Sequence, residues 1–203
     1  MRGRDNYKEQ LVKQKAIEII VKYGLEGFTI IKLAKACGIS AGTPYVYYKD
    51  KDDLILKIVV EEGAKMEETI NKDFNPEAGF EEGLRVQWRN RYDYIMANPL
   101  LGQFFDQISS SSYHEQFFEM FNNSSAGFLA NFKENMGRFI DINVKRGEMI
   151  DLPIALYWSL AFGPLYTLMR FHYRGRSITG AAFEFKEELL WSTFNQVVKS
   201  LKK

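Results

Sequence analysis

One cysteine, two histidines and five prolines in 203 residues leave little for several kinds of protein chemistry. A lone thiol, Cys37, cannot form a disulfide within the chain, and this usage suits a reducing cytosol. The histidines, His114 and His172, stand far apart and outside any metal-ligand spacing such as H-x-x-x-H. No nucleophile elbow, phosphate-binding loop or dinucleotide motif accompanies them, so neither an enzyme nor a cofactor or metal is expected. Asp52-Asp53 and Glu61-Glu62 are accounted for by helix capping and solvation. No apolar run approaches the roughly 20 residues needed to span a bilayer. The best stretch, Leu152 to Met169, is interrupted by Pro153, Ser159 and Gly163-Pro164 and closed by Arg170. The opening MRGRDNYKEQ is polar and unlike a secretory signal, so the chain is predicted to be cytoplasmic, with no membrane partner. Strand-like alternation and internal repeats are also missing.

What is present is apolar and helical. Hydrophobic residues make up 46% of the chain and aromatics 15%, ample for a core. Leu11, Val12, Ala16, Ile19, Ile20 and Tyr23 form one helical stripe that Gly24 should end. Thr29 reads as the N-cap of a short helix, Ile30 to Ala36, stopped by Cys37-Gly38. Ser40 can cap a third helix and Asp50 a fourth, with Asp52 and Asp53 at its positive end. Further helices are predicted at about 77–97, 99–108, 113–122, 125–146, 153–174 and 180–202. The fold class is therefore all-α, about nine helices. Charge divides the chain: residues 1–51 hold ten basic against five acidic side chains, +5, which leaves −4 beyond them from the total of +1. A basic head (1–51) on an acidic body (52–203) fits a polyanion-binding module with a separate partner domain.

The head is most specific over Phe28 to Leu54, FTIIKLAKACGISAGTPYVYYKDKDDL. Two short helices around a glycine turn meet the requirement of a helix-turn-helix, with Leu33, Ala34 and Ile39 spaced to pack them. If positions 44 and 48 face inward, Thr43, Tyr47, Gly42 and Val46 face outward by i, i+4 spacing. A tyrosine hydroxyl can reach a phosphate, and Lys51 brings an ammonium beside the free N–H groups of a helix start. This arrangement resembles the TetR family. The matching positions are Thr29, Leu33-Ala34, Gly38-Ile39-Ser40, Gly42-Thr43-Pro44-Tyr45, Tyr47-Tyr48 and Lys51-Asp52-Asp53-Leu54. The resemblance is specific over residues 7–60 and architectural beyond. It implies phosphate contacts from Thr29, Thr43, Tyr47 and Lys51, and approach to base edges by Ala41, Gly42, Thr43, Tyr45 and Val46. Pro44 departs from the family's usual leucine. Either the helix still starts at Ser40 with one bond missing, or Thr43 becomes the cap and Pro44 the first residue of a very short helix.

Eleven aromatics fall between Trp88 and Phe132. The resemblance implies a small-molecule pocket among the middle helices. Trp88, Tyr92, Phe105, Phe121, Phe128, Phe162 and Tyr166 are the expected lining, with Arg91, Asn131 and His172 as polar anchors. Ala155, Ser159 and Gly163 make a flat strip at i, i+4 spacing, and Leu190, Phe194, Val197 and Leu201 make an apolar stripe. These are expected to form the seam of a homodimer, as the resemblance also implies. The expected function is a transcriptional regulator: a repressor of double-stranded DNA at a palindromic operator, released by a small hydrophobic or aromatic effector. The competing reading is a binding module that acts through a protein partner.

Overall fold

A computed structural model describes residues 2–113, 115, 116, 119 and 128–203, with side chains from Tyr7 onward and without those of 128–132. Among these residues there are eight α-helices: α1 Arg2–Gly27, α2 Ile30–Cys37, α3 Lys51–Ile70, α4 Phe80–Ala97, α5 Pro99–Ser109, α6 Phe128–Lys145, α7 Ile154–Arg174 and α8 Glu187–Leu201. A single 3-10 turn, Pro44–Val46, lies between α2 and α3. The helix expected over residues 113–122 falls largely outside the described residues.

The chain divides into two compact units. The first comprises residues 1–65 with 98–125, the second 66–97 with 126–203. In the first, the stripe of α1 is buried as its spacing requires: Val12, Ala16 and Ile20 are fully enclosed. They meet Leu33 of α2, Leu54, Ile55 and Ile58 of α3, and Phe104 and Ile108 of α5 in one core. The amide of Gln107 on α5 donates to the Val21 carbonyl at 3.2 Å, so α5 is hydrogen-bonded to α1 as well as packed on it. Tyr113 donates to the Asp52 carboxylate at 2.5 Å, tying the residues after α5 to the first turn of α3.

Helix ends follow local chemistry. The Thr29 hydroxyl accepts from the Lys32 amide at 3.2 Å and caps α2. Gly38 takes φ 65°, and the Ile39 amide reaches back to the Ala34 carbonyl at 3.0 Å, closing α2 in a left-handed C-terminal turn. Asp50 caps α3 through the Asp53 amide at 2.8 Å, while the Asp53 carboxylate accepts from the Lys49 amide at 2.9 Å, a reciprocal box. Burial alone would raise the pKa of Asp53, but the Lys49 amide and the Lys57 ammonium outweigh it and lower it. Gly24 does not end α1. It adopts φ 76°, ψ 168°, and helical residues resume to Gly27, so the stop becomes a kink.

In the second unit, Trp88 of α4 is fully buried and its indole donates to the Ala161 carbonyl of α7 at 2.8 Å. Phe194 of α8 meets the same ring edge-on at 5.5 Å between centroids. Gly83 of α4 lets Phe139 of α6 close in, for a Cβ there would stand 2.4 Å from its ring. The last helix starts at Glu187, later than its periodicity suggested. Residues 176–186 instead form a loop with one bridge, Arg176 to Ala182, and Gly180 at φ 82°.

Candidate nucleic-acid interface and ligand-binding core

Pro44 decides the local geometry of the head. It has no N–H to donate to the Ser40 carbonyl, so an ordinary helix started at Ser40 loses that bond. The backbone closes tighter i to i+3 bonds instead: Thr43 to Ser40 at 3.0 Å, Tyr45 to Gly42 at 3.2 Å, Val46 to Thr43 at 3.1 Å and Tyr47 to Pro44 at 3.1 Å. Of the two possibilities, the structure takes the second. Thr43 is the cap residue and Pro44 opens a three-residue turn. Thr43 makes no side-chain cap; its hydroxyl instead shares a 2.8 Å hydrogen bond with that of Ser40.

Of the four residues expected outward, Gly42 and Val46 are exposed, whereas Thr43 and Tyr47 are half-buried, Tyr47 against the core of the head. Pro44 and Tyr48 are buried, whereas Tyr45 is 57% and Val46 76% exposed. Thr29, Ala41 and Gly42 are exposed too, and Thr43, Tyr47 and Lys51 are half-buried. Tyr48 contacts Glu9 at 3.5 Å, and burial followed by the charge of Glu9 pushes its hydroxyl well above the usual tyrosine range. The inward tyrosine is thus a neutral donor. Lys51 is held in place: its ammonium donates to the Leu25 carbonyl at 2.8 Å, just past the kink of α1. A groove of about 520 Å³ opens beside it, lined by Tyr23, Gly24, Leu25, Glu26 and residues Ser110 to Tyr113. Sequence reasoning passed over Lys32, on the exposed face of α2, whose ammonium donates to the Gly27 carbonyl at 2.8 Å and lies 5.4 Å from the Tyr23 ring. Its place one turn into α2 was a visible signal. Cys37 is half-buried against the core, and burial raises its thiol pKa.

Four of the seven predicted lining residues share a neighbourhood in the second unit. Trp88 and Phe162 are fully buried. Tyr166 accepts from the Arg91 guanidinium at 3.2 Å, and Tyr92 donates to the Phe185 carbonyl at 3.1 Å. Phe105 does not join them: it packs beside Phe104 against the core of the first unit. Aromatic density along a sequence carries no information on which core each ring enters. Phe121 and the side chains of Phe128 and Asn131 lie outside the described residues. His172 accepts from the Phe185 amide through Nδ1 at 3.2 Å, a structural bond rather than a free anchor. Gln87 and Tyr157, both buried beside this network, were missed. The i, i+4 spacing of Gln87 and Arg91 was the available signal for the first.

The expected seam separates into two kinds of residue. Leu190, Phe194, Val197 and Leu201 are buried within the chain itself, because α8 turns its stripe onto α4 and α7. On α7, Ala155 and Ser159 are exposed and Gly163 half-exposed. Beside them stand Ile154, Leu156 and Leu160, apolar and open to solvent.

Residues 14–58 match the family model described as bacterial regulatory proteins, tetR family. Over these residues the chain matches the TetR family. An uncharacterized HTH-type transcriptional regulator of Haemophilus influenzae is 31% identical over 83 residues, covering 41% of this chain and 44% of that protein. The fatty acid metabolism regulator protein of Bacillus subtilis is 30% identical over 71 residues, 35% of this chain and 37% of its own length. The chain thus matches less than half the length of either relative. In fold the likeness runs the length of the chain: a TetR family transcription regulator from Marinobacter aquaeolei has a TM-score of 0.76 at 22% identity, covering 100% of both chains. The transcriptional regulator FadR from Bacillus subtilis, solved in complex with stearoyl-CoA, gives 0.68 at 18% identity over 94% of this chain and 95% of its own. Among the described residues no helix is long and apolar enough to cross a membrane.

Proposed function

We propose that this chain is a TetR-type dimeric repressor that binds a palindromic operator through its head and is released by a small apolar effector. The observation that carries the reading is the exposed turn of Tyr45 and Val46, anchored from below by Pro44 and Tyr48 and flanked by Lys51 at a helix start. Phosphates would meet Thr29, Thr43, Tyr47 and Lys51, and base edges would meet Ala41 to Thr43, Tyr45 and Val46. Residues 1–51 form the DNA-binding domain in this scheme and 52–203 the effector and dimer domain.

The homodimer is built on the outer face of α7, where Leu156 and Leu160 flank the small residues Ala155, Ser159 and Gly163. Two heads must then sit one DNA turn apart, roughly 34–36 Å or a multiple. An effector favours one of two head spacings by its difference in affinity for them. That a regulator with this fold was solved with stearoyl-CoA, and that a sequence relative is named for fatty acid metabolism, supports an apolar effector. The test is fluorescence anisotropy against the DNA upstream of its own gene, beside a scrambled duplex, at two salt concentrations. Selective, salt-sensitive binding is the expected result; equal affinity for both duplexes across every candidate operator tried would refute it.

A further inference from the structure

Arg91 is 1% exposed, yet no carboxylate pairs with it among the described residues. Its Nη1 donates to the Gln87 carbonyl at 3.1 Å and to the Gln87 side-chain oxygen, and its Nε donates to Tyr166 at 3.2 Å. Phe162 lies under the guanidinium, 4.4 Å from ring centroid to Cζ. These partners are all neutral. The remaining nitrogen, Nη2, is buried with no acceptor among the described residues. A second buried polar atom without a partner among the described residues is the Tyr157 hydroxyl, whose ring packs edge-on at 6.4 Å between centroids against the same Phe162 that lies under Arg91. An unpaired charge and an unsatisfied hydroxyl inside one aromatic core each cost stability, and a ligand that answers both recovers it.

We propose that Arg91 and Tyr157 bind the anionic head of the effector, so that the effector is an apolar monoanion of the carboxylic acid class. Arg91 Nη2 and the Tyr157 hydroxyl both donate to the oxyanion, while the surrounding rings take the apolar body. A single guanidinium balances one negative charge, which selects a monoanion over a phosphate dianion. The inference rests on the reading of the second unit as the effector domain, and it is tested without DNA so that the two can fail separately.

The experiment is isothermal calorimetry on the full chain with matched pairs, octanoate against octanol and 2-naphthoate against 2-naphthalenemethanol. A charge-assisted hydrogen bond predicts that the acid of at least one pair binds about tenfold or more tightly than its alcohol. Arg91→Met abolishes that preference, and Arg91→Lys, which keeps the charge but not the fork, retains part of it. Tyr157→Phe removes a hydroxyl that bonds nothing among the described residues. Its melting temperature therefore holds or rises while acid affinity falls several-fold. Acids that bind no better than their alcohols, or an acid preference that survives Arg91→Met, would overturn the proposal.

Discussion

Replacing Lys51 by alanine isolates one proposed phosphate contact from the rest of the head. The ammonium sits at the first residue of α3, fixed by its 2.8 Å bond to the Leu25 carbonyl. A cation so held loses little freedom when a phosphate arrives, and neutralising that phosphate releases condensed counterions. Each contact contributes about 0.9 to the slope of log affinity against log salt. A dimer presents two copies, so Lys51→Ala should flatten the slope by about 1.8. Between 50 and 200 mM salt the advantage of wild type over variant then shrinks by a factor of about 12, against about 3.5 if only one head engages. Loss of the bond to Leu25 costs about 1 kcal/mol of stability, too little to unfold the head at 20 °C. Anisotropy titrations at five salt concentrations, on operator and scrambled duplexes, measure the slope directly. The loss should be equal on both duplexes, since a phosphate contact carries no sequence information. Parallel wild-type and variant lines, or a loss confined to the operator, would refute the assignment.

Three further outcomes follow from the packing. Leu156→Glu with Leu160→Glu places charge on the exposed face of α7 without touching the buried side of that helix, and analytical ultracentrifugation should find monomer; an unchanged dimer would move the seam elsewhere. Gly83→Ala drives a methyl to 2.4 Å from the Phe139 ring, so thermal unfolding should show a loss of about 1–3 kcal/mol, and an unaltered melting temperature contradicts the close approach. Lys13 is buried and bonded to Glu61 at 2.6 Å and Glu9 at 3.2 Å. Burial lowers its pKa, but the two carboxylates outweigh burial and raise it above 10.5. Its pair with Glu61 therefore stabilises fully below the unfolded lysine value and is lost as pH rises through the folded one. Urea unfolding should show wild type about 1 kcal/mol ahead of Glu61→Gln at pH 8, the exposure of Glu61 limiting the gain, with the difference vanishing above pH 10.5. A difference that persists to pH 12 would contradict this.

What could be read in advance was local. Thr29, Gly38 and Asp50 act through bonds to residues within five positions, so their caps were visible in sequence order. With Pro44 and Tyr48 inside, the exposure of Gly42 and Val46 followed from spacing, while the half-burial of Thr43 and Tyr47 did not. What could not be read depended on partners distant along the chain. The stripe through Leu190, Phe194, Val197 and Leu201 announces a buried face but not whose surface covers it; here the same chain does. Phe105 and Trp88 look alike in a run of aromatics, yet they enter different cores. Arg91 was visible as a polar residue among rings. That it would be enclosed without a carboxylate depended on α7, some seventy residues onward, bringing Phe162 and Tyr166 rather than an acid.

The 3-10 turn at Pro44–Val46 bears on how recognition could be exchanged between proteins of this fold. Side chains on an α-helix advance 100° per residue, whereas three residues per turn advance 120°, and the rise per residue is about 2.0 Å rather than 1.5 Å. Over the three positions from Pro44 to Val46 the two paths therefore diverge by about 40° in direction and about 1 Å in height. Copying the proposed base-contacting residues from a chain with leucine at position 44 would point the same side chains in different directions. Specificity here travels with the proline as much as with the residues around it, and a transplant of one requires the other.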